Sequence, residues 1–88
     1  MEQDRKIPEI VDEAPWTEAI TEYDKAHYVM YLRLLDASAE GASTDEMARA
    51  VLGIDPTKEP ARAQKAVANH LRRAQWMTEK GYRRLLEH

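Results

Sequence analysis

Residues 43–80 most constrain the fold, because their pattern predicts two helices joined by a turn. Ser43 and Glu46 have the spacing of a capping box, in which each side chain accepts a hydrogen bond from the other residue's backbone N–H. Gly53 stands where a helix commonly ends in the left-handed conformation. After a short linker comes Pro60, a favoured first residue of a helix. This order predicts a helix-turn-helix whose turn is longer than the usual ~3–4 residues.

The second of these helices, about Pro60 to Glu79, has two different faces. Its apolar side is expected to face the core and holds Ala63, Val67, His70, Leu71, Ala74 and Met77, which recur at steps of three and four. The opposite side holds Arg62, Lys65, Asn69, Arg72, Arg73 and Trp76. Because His70 lies on the apolar side, we interpret it as a hydrogen-bonded core histidine. Trp76 is expected either to be covered by the segment around Trp16 or to anchor a partner.

An apolar segment precedes this unit. Thr21 or Asp24 can cap a helix that continues to about Ala39 and ends before Gly41. Its apolar arc is about twice the ~100° of an ordinary surface helix. One stripe contains Tyr28, Tyr31, Leu32, Leu35 and Ala39, and a second margin of Met30, Leu34 and Ala37 widens it. Either neighbouring elements bury this helix on most sides, or the second margin is left for a partner.

Together these features predict an all-α fold, a small helical domain of the extended-turn helix-turn-helix type over residues 19–86. An acidic, disordered tail is expected over residues 1–18, which are polar and contain two prolines. A chain of 88 residues supports one domain with a small core. Residues 87–88 resemble the start of a purification tag, and we assign them no function.

Composition excludes several classes of function. The chain has no cysteine, so disulfides and thiolate metal sites are excluded. It also lacks a Gly-rich phosphate loop, a His-Glu metal motif and a nucleophile with an evident base. We therefore expect no catalytic residue, no metal and no cofactor. No apolar run approaches the ~18 residues that span a bilayer, and the cytoplasm is the default compartment.

Charge is distributed unevenly. Residues 1–59 contain 14 acidic and 6 basic side chains, whereas residues 60–88 contain 2 and 7. The basic face of the last helix could enter a major groove through Arg62, Lys65, Asn69 and Arg72, or it could be a solvated surface. Against DNA binding, acidic residues occur in the preceding helix and turn, at Asp45, Glu46, Asp55 and Glu59. Negative groups near phosphates oppose the electrostatic attraction that dominates DNA affinity.

Several segments of residues 23–86 resemble the proteobacterial domain-of-unknown-function 2285 family. They are Tyr31-Leu32-Arg33-Leu34-Leu35-Asp36-Ala37, Gly41, Ile54-Asp55-Pro56, Glu59-Pro60-Ala61-Arg62, His70-Leu71 and Trp76-Met77-Thr78-Glu79-Lys80-Gly81-Tyr82. That family resembles an extended-turn helix-turn-helix. It occurs on integrative and conjugative elements, commonly as the C-terminal half of FseA-like transcriptional activators.

A stand-alone acidic member is similar to the QseM-type antiactivators, which are also implicated in restraining TraR-type quorum-sensing regulators. The resemblance implies an antiactivator, monomeric when free, that binds the N-terminal domain of a transcriptional activator and does not bind DNA. The partner surface is expected at Met30, Leu34, Ala37, Trp76 and Tyr82. The alternative is a sequence-specific DNA-binding repressor that uses Arg62, Lys65, Asn69 and Arg72.

Overall fold

The computed structural model describes residues 10–81, and within this range it contains helices and no strand. Helix α1 spans Glu22–Ala26, α2 Tyr28–Ala39, α3 Thr44–Met47 and α4 Pro60–Trp76, with π-helical turns at Ala48–Leu52 and Met77–Gly81 that continue α3 and α4. The all-α prediction is therefore confirmed.

Helices α1 and α2 occupy the segment that was predicted as one helix. Thr21 caps α1 together with Asp24, because Asp24 N donates to Thr21 Oγ1 at 3.1 Å and Thr21 N donates to Asp24 Oδ2 at 2.9 Å. The prediction of one continuous helix is wrong at His27, whose backbone angles (φ −113°, ψ 23°) interrupt it. Helix α2 ends at Ala39, and Gly41 follows with φ 86°, so the predicted end is confirmed.

The helix-turn-helix begins and ends where its local signals predict. Ser43 N donates to Glu46 Oε1 at 2.8 Å and Glu46 N donates to Ser43 Oγ at 3.1 Å, which completes the capping box of α3. Gly53 ends the π-helical turn with φ 72°. In the linker, Asp55 Oδ1 accepts from Thr57 N at 2.9 Å and from Thr57 Oγ1 at 2.6 Å. Pro60 is the first residue of α4.

The core lies between α4, α2 and the α3 segment. Helix α4 contributes mainly small side chains, and these let the other helices approach closely. Ala63, Ala66, Val67 and Ala74, with Met77 of the π-helical turn that continues α4, are at most 4% exposed. The residues packed with them are Met30, Tyr31, Leu34, Met47, Ala48, Leu52 and Ile54. The predicted apolar face of α4 is confirmed, with Leu71 only partly buried.

Helix α2 buries the margin that was expected to be left for a partner. Leu34 is fully buried, Met30 is 8% exposed and Ala37 is half-buried. The prediction that these three form an exposed partner surface is therefore wrong. Tyr28, Leu32 and Leu35 instead line an open apolar groove of about 300 Å³, together with Tyr31, Met77 and Thr78.

Residues 10–17, which we call the strap, precede the first helix and contain no helix. Ile10 packs against the core, Ala14 is 3% exposed, and Val11 N donates to the Tyr23 hydroxyl at 3.2 Å. Residues 1–9 of the predicted tail lie outside the described residues, as do Tyr82 and residues 87–88.

Candidate nucleic-acid interface

The outer face of α4 presents the four residues that the sequence assigned to the alternative DNA-binding function. Lys65 and Arg72 are exposed, Arg62 has 41% of its side chain exposed, and Asn69 is half-buried. Asn69 Nδ2 donates to the Lys65 carbonyl at 3.2 Å, which orients its amide along the helix. The four residues therefore share one side of the second helix of the helix-turn-helix.

The strap supplies carboxylates to this face. Arg62 Nε donates to Asp12 Oδ1 at 2.8 Å, and Arg62 Nη1 donates to Glu59 Oε1 at 3.1 Å. Lys65 Nζ lies 3.0 Å from Glu13 Oε2. The hydrogen bond to Asp12, followed by that to Glu59, raises the pKa of Arg62. All of these side chains are substantially exposed, so each pair is screened by water.

Two tryptophans lie against consecutive arginines of α4. The Arg72 guanidinium lies 4.9 Å from the ring centroid of Trp16, which is 51% exposed. The Arg73 guanidinium lies 3.9 Å from the ring centroid of Trp76, which is half-buried. Trp16 therefore contacts Arg72, while Trp76, which was expected either to be covered by the segment around Trp16 or to anchor a partner, contacts Arg73.

Arg73 is not part of the polar face of α4, so the prediction that placed it on that face is wrong. Its side chain is fully buried and pairs with the fully buried Asp24, at 3.0 Å for Nε to Oδ1 and 2.6 Å for Nη2 to Oδ2. Its remaining donors reach the carbonyls of Thr17 at 2.8 Å and Ala19 at 2.9 Å. Arg73 thus joins α4 to α1 and to the end of the strap.

The Asp24 carboxylate is held by several donors. Burial by itself raises its pKa, but the hydrogen bonds from Arg73, Thr21 N and Tyr31 outweigh burial, and the pKa of Asp24 is lowered. The Tyr31 hydroxyl donates to Asp24 Oδ1 at 2.8 Å. Burial and then this hydrogen bond raise the pKa of Tyr31, so its hydroxyl stays a donor.

His70 is a hydrogen-bonded core residue, as predicted. It is fully buried, with Nδ1 2.8 Å from the Ala66 carbonyl and Nε2 2.7 Å from the Tyr23 hydroxyl. Burial lowers the pKa of His70, which favours a neutral ring. Tyr23 also stacks on His27 with ring centroids 4.0 Å apart. Because the same hydroxyl accepts from Val11 N, this cluster also holds the beginning of the strap.

Residues 4–87 match a family model described as the DNA-binding domain of a T6SS transcription factor, RovC. The chain belongs to this RovC DNA-binding domain family. A comparison with curated proteins found no match.

Membership of the RovC DNA-binding family overturns three of the expectations drawn from the sequence. The assignment to the domain-of-unknown-function 2285 family is wrong, and so is the antiactivator function that followed from the QseM-type resemblance. The expectation that the chain does not bind DNA is contradicted as well. The conjugative-element, FseA-like and TraR-type partners have no support, because they rested on that resemblance.

Three of the four acidic residues that argued against DNA binding have local structural roles in this RovC-type domain. Glu46 completes the cap of α3, Asp55 accepts two hydrogen bonds inside the linker, and Glu59 pairs with Arg62. Hydrogen bonds from Thr57 lower the pKa of Asp55, and Arg49 lies 4.0 Å from it. Treating these carboxylates as unpaired negative charges therefore overestimated their electrostatic repulsion of DNA phosphates.

A second polar side of α4 was not predicted from the sequence. Gln64, Ala68 and Gln75 are exposed, and their spacing of four and seven residues places them on one side of the helix, beside Arg72. Glutamine amides can donate to and accept from the major-groove edge of adenine. The spacing of the glutamines is a signal for this side in the sequence, but it is weaker than that of the basic stripe beside it, because glutamine carries no charge.

Within residues 10–81, no group of His, Cys, Asp or Glu side chains could hold a metal ion. No helix in the same range has the length and apolar character to cross a membrane. The arrangement is suited to binding through polar and charged side chains on α4.

Proposed function

We propose that this chain binds duplex DNA as part of a transcription regulator, with α4 as the recognition helix in the major groove. The observation that supports this most directly is the outer face of α4. It places cationic and amide side chains on the second helix of a helix-turn-helix, in a chain that belongs to a DNA-binding family.

Each side chain has a role that follows from its chemistry. Arg62, Lys65 and Arg72 can neutralise phosphates or donate to guanine, and Arg72 is best placed for a base because it lies between the two polar sides of α4. Asn69 and Gln64 can pair with adenine. Phosphate contacts would position the helix, and the amides would provide sequence preference.

The proposed function is binding without an enzymatic step or a cofactor. Its natural compartment is the cytoplasm, where a bacterial promoter would be accessible. The repressor alternative drawn from the sequence agrees with this proposal in its DNA-binding step.

The test starts with a selection from a pool of random duplexes, followed by fluorescence anisotropy of the enriched duplex over a series of salt concentrations. R72A is the informative variant, because Arg72 contacts a neutral ring in the free domain. We expect R72A to weaken binding and to reduce the slope of log affinity against log salt by about one if Arg72 contacts a phosphate. If Arg72 contacts a base, sequence preference should relax instead.

R33A is the matched control. Arg33 is also an exposed arginine, but it lies on α2 and donates to the Ala50 carbonyl at 3.1 Å. The R33A variant removes the same charge and should retain most of the affinity. Absence of any enriched duplex, together with salt-independent or undetectable binding, would refute the proposed function.

A further inference from the structure

The strap lies along the same side of α4 that contains the candidate DNA-binding residues. Asp12 pairs with Arg62, Glu13 pairs with Lys65, and the Trp16 ring lies on Arg72. The strap therefore contacts three cationic side chains that are spread over about three turns of α4.

The chemistry of these contacts matches that of a nucleic acid. Carboxylate oxygens accept hydrogen bonds from arginine and lysine in the way phosphate oxygens do. An aromatic ring on a guanidinium resembles the stacking of a base on arginine. A duplex that uses Arg62 and Lys65 must therefore replace the strap carboxylates at the same donors, and one that stacks a base on Arg72 must displace the Trp16 ring from its face.

We propose that the strap is an internal competitor, an autoinhibitory segment that occupies the basic side of α4 and is displaced when DNA binds there. This inference rests on the proposed function, since it concerns the regulation of the same face. The strap would therefore make binding selective, because only a ligand with several correctly spaced phosphates can replace all three contacts together.

The strap is held at its two ends and at the buried Ala14, whereas its side chains that contact α4 are exposed. Its beginning is fixed by the hydrogen bond from Val11 N to Tyr23, and its end by the Thr17 carbonyl bound to Arg73. Between these ends, the side chains of Asp12 and Glu13 are 54% and 60% exposed, and Trp16 is 51% exposed. Exposed pairs contribute little stability, so these side chains can leave α4 while the helices stay folded.

The decisive comparison uses two double variants that change net charge equally. D12N/E13Q removes both strap carboxylates while keeping their size. D36N/E40Q removes two exposed carboxylates at the end of α2, outside the strap. Anisotropy titrations at one fixed salt concentration, with the duplex enriched by wild-type protein, should show D12N/E13Q binding about three- to tenfold tighter than D36N/E40Q. Equal affinities, or weaker binding by D12N/E13Q, would overturn the proposal.

A second measurement reports on the strap itself. The indole N–H signals of Trp16 and Trp76 can be followed by NMR during a titration of wild-type protein with the enriched duplex. Displacement predicts a large change at Trp16 and a small one at Trp76, which is held by the buried Arg73. An unchanged Trp16 signal at saturating DNA would also overturn the proposal. If no variant binds DNA, the proposed function fails, and the competitor proposal fails with it.

Discussion

Removal of the Arg73 guanidinium should be the most damaging single substitution outside the apolar core. In R73M the aliphatic stem is largely kept, but Asp24 remains fully buried without its cation. The Thr17 and Ala19 carbonyls also lose their donors. Breaking a buried pair by removing one partner typically costs about 3–5 kcal/mol. A chain of this size has a total stability of about 4–13 kcal/mol, so R73M should lose a large share of it.

The measurement is urea unfolding at pH 7, followed by circular dichroism at 222 nm. With a slope of about 1 kcal/mol per molar urea for a small domain, the midpoint should fall by several molar. The double variant D24N/R73M is the internal comparison. Its amide at position 24 would remove the buried charge and keep one acceptor oxygen for Thr21 N, while its NH2 group could donate to the Tyr31 hydroxyl. The double variant should therefore recover about 2 kcal/mol of the loss in R73M.

The pH dependence of the stability loss in R73M distinguishes the cost of a buried, unpaired Asp24 charge from the cost of lost packing. In the wild type the pKa of Asp24 is lowered, so its stabilising contribution is present above the unfolded value of 3.8 and is lost as pH falls through the lower folded value. In R73M burial should raise that pKa, because the compensating cation is gone, so the carboxyl protonates more readily. The stability gap between wild type and R73M should therefore narrow between about pH 7 and pH 4.5. A cost below about 1 kcal/mol for R73M, or a gap independent of pH, would refute this reasoning.

Three further predictions concern stability, each measured by urea unfolding. Burial lowers the pKa of His70, so below about pH 6.5 the unfolded state binds more protons than the folded state, and the free energy of unfolding should fall as the pH decreases. The H70Q variant should lose most of this pH dependence. An unchanged pH dependence in H70Q would contradict the prediction. G53A should lower the free energy of unfolding by about 1–2 kcal/mol because the φ of Gly53 is 72°, although an added Cβ meets no atom within 4 Å. Asparagine tolerates this φ better, so G53N should lower the stability less. Equal losses in the two variants would point to a cause other than φ. S43A should cost about 1 kcal/mol through loss of the α3 cap, and S38A, an exposed change on α2, should stay near wild type.

Local signals were sufficient to predict the helix-turn-helix. The capping box at Ser43, the left-handed Gly53 and the first-turn Pro60 each depend on a few neighbouring residues. The apolar face of α4 was also predictable, since its moderate width leaves one orientation that buries it. These features involve residues close in sequence, where periodicity and capping rules apply directly.

The orientation of α2 could not be obtained in the same way. Its apolar arc is wide enough that two rotations bury similar area, and periodicity does not choose between them. The choice is made by Tyr31, whose hydroxyl must reach the buried Asp24. Leu34 and Met30 follow Tyr31 into the core, and Leu32 is left partly exposed. A polar contact thus fixes a rotation that apolar burial leaves open.

Arg73 was assigned to the wrong face for a related reason. A charged residue next to Arg72 is normally placed in solvent, and its partner Asp24 is 49 residues away in the sequence. One available signal was its position, three residues after His70 and four before Met77, which places it beside the core stripe. The pairing itself depends on tertiary structure, so no local rule predicts it.

The difference between Arg72 and Arg73 also explains why total charge was a poor guide to function. Arg73 contributes nothing to the external field that a phosphate meets, because Asp24 neutralises it inside the domain. Asp12 likewise offsets Arg62, and Glu13 offsets Lys65, at separations of about 3 Å. At such separations, paired charges almost cancel at a distance beyond a Debye length of ~10 Å. At contact, DNA meets the hydrogen-bond donors on the outer face of α4. When the strap side chains leave α4, more of these donors become accessible, although the net charge of the chain stays the same.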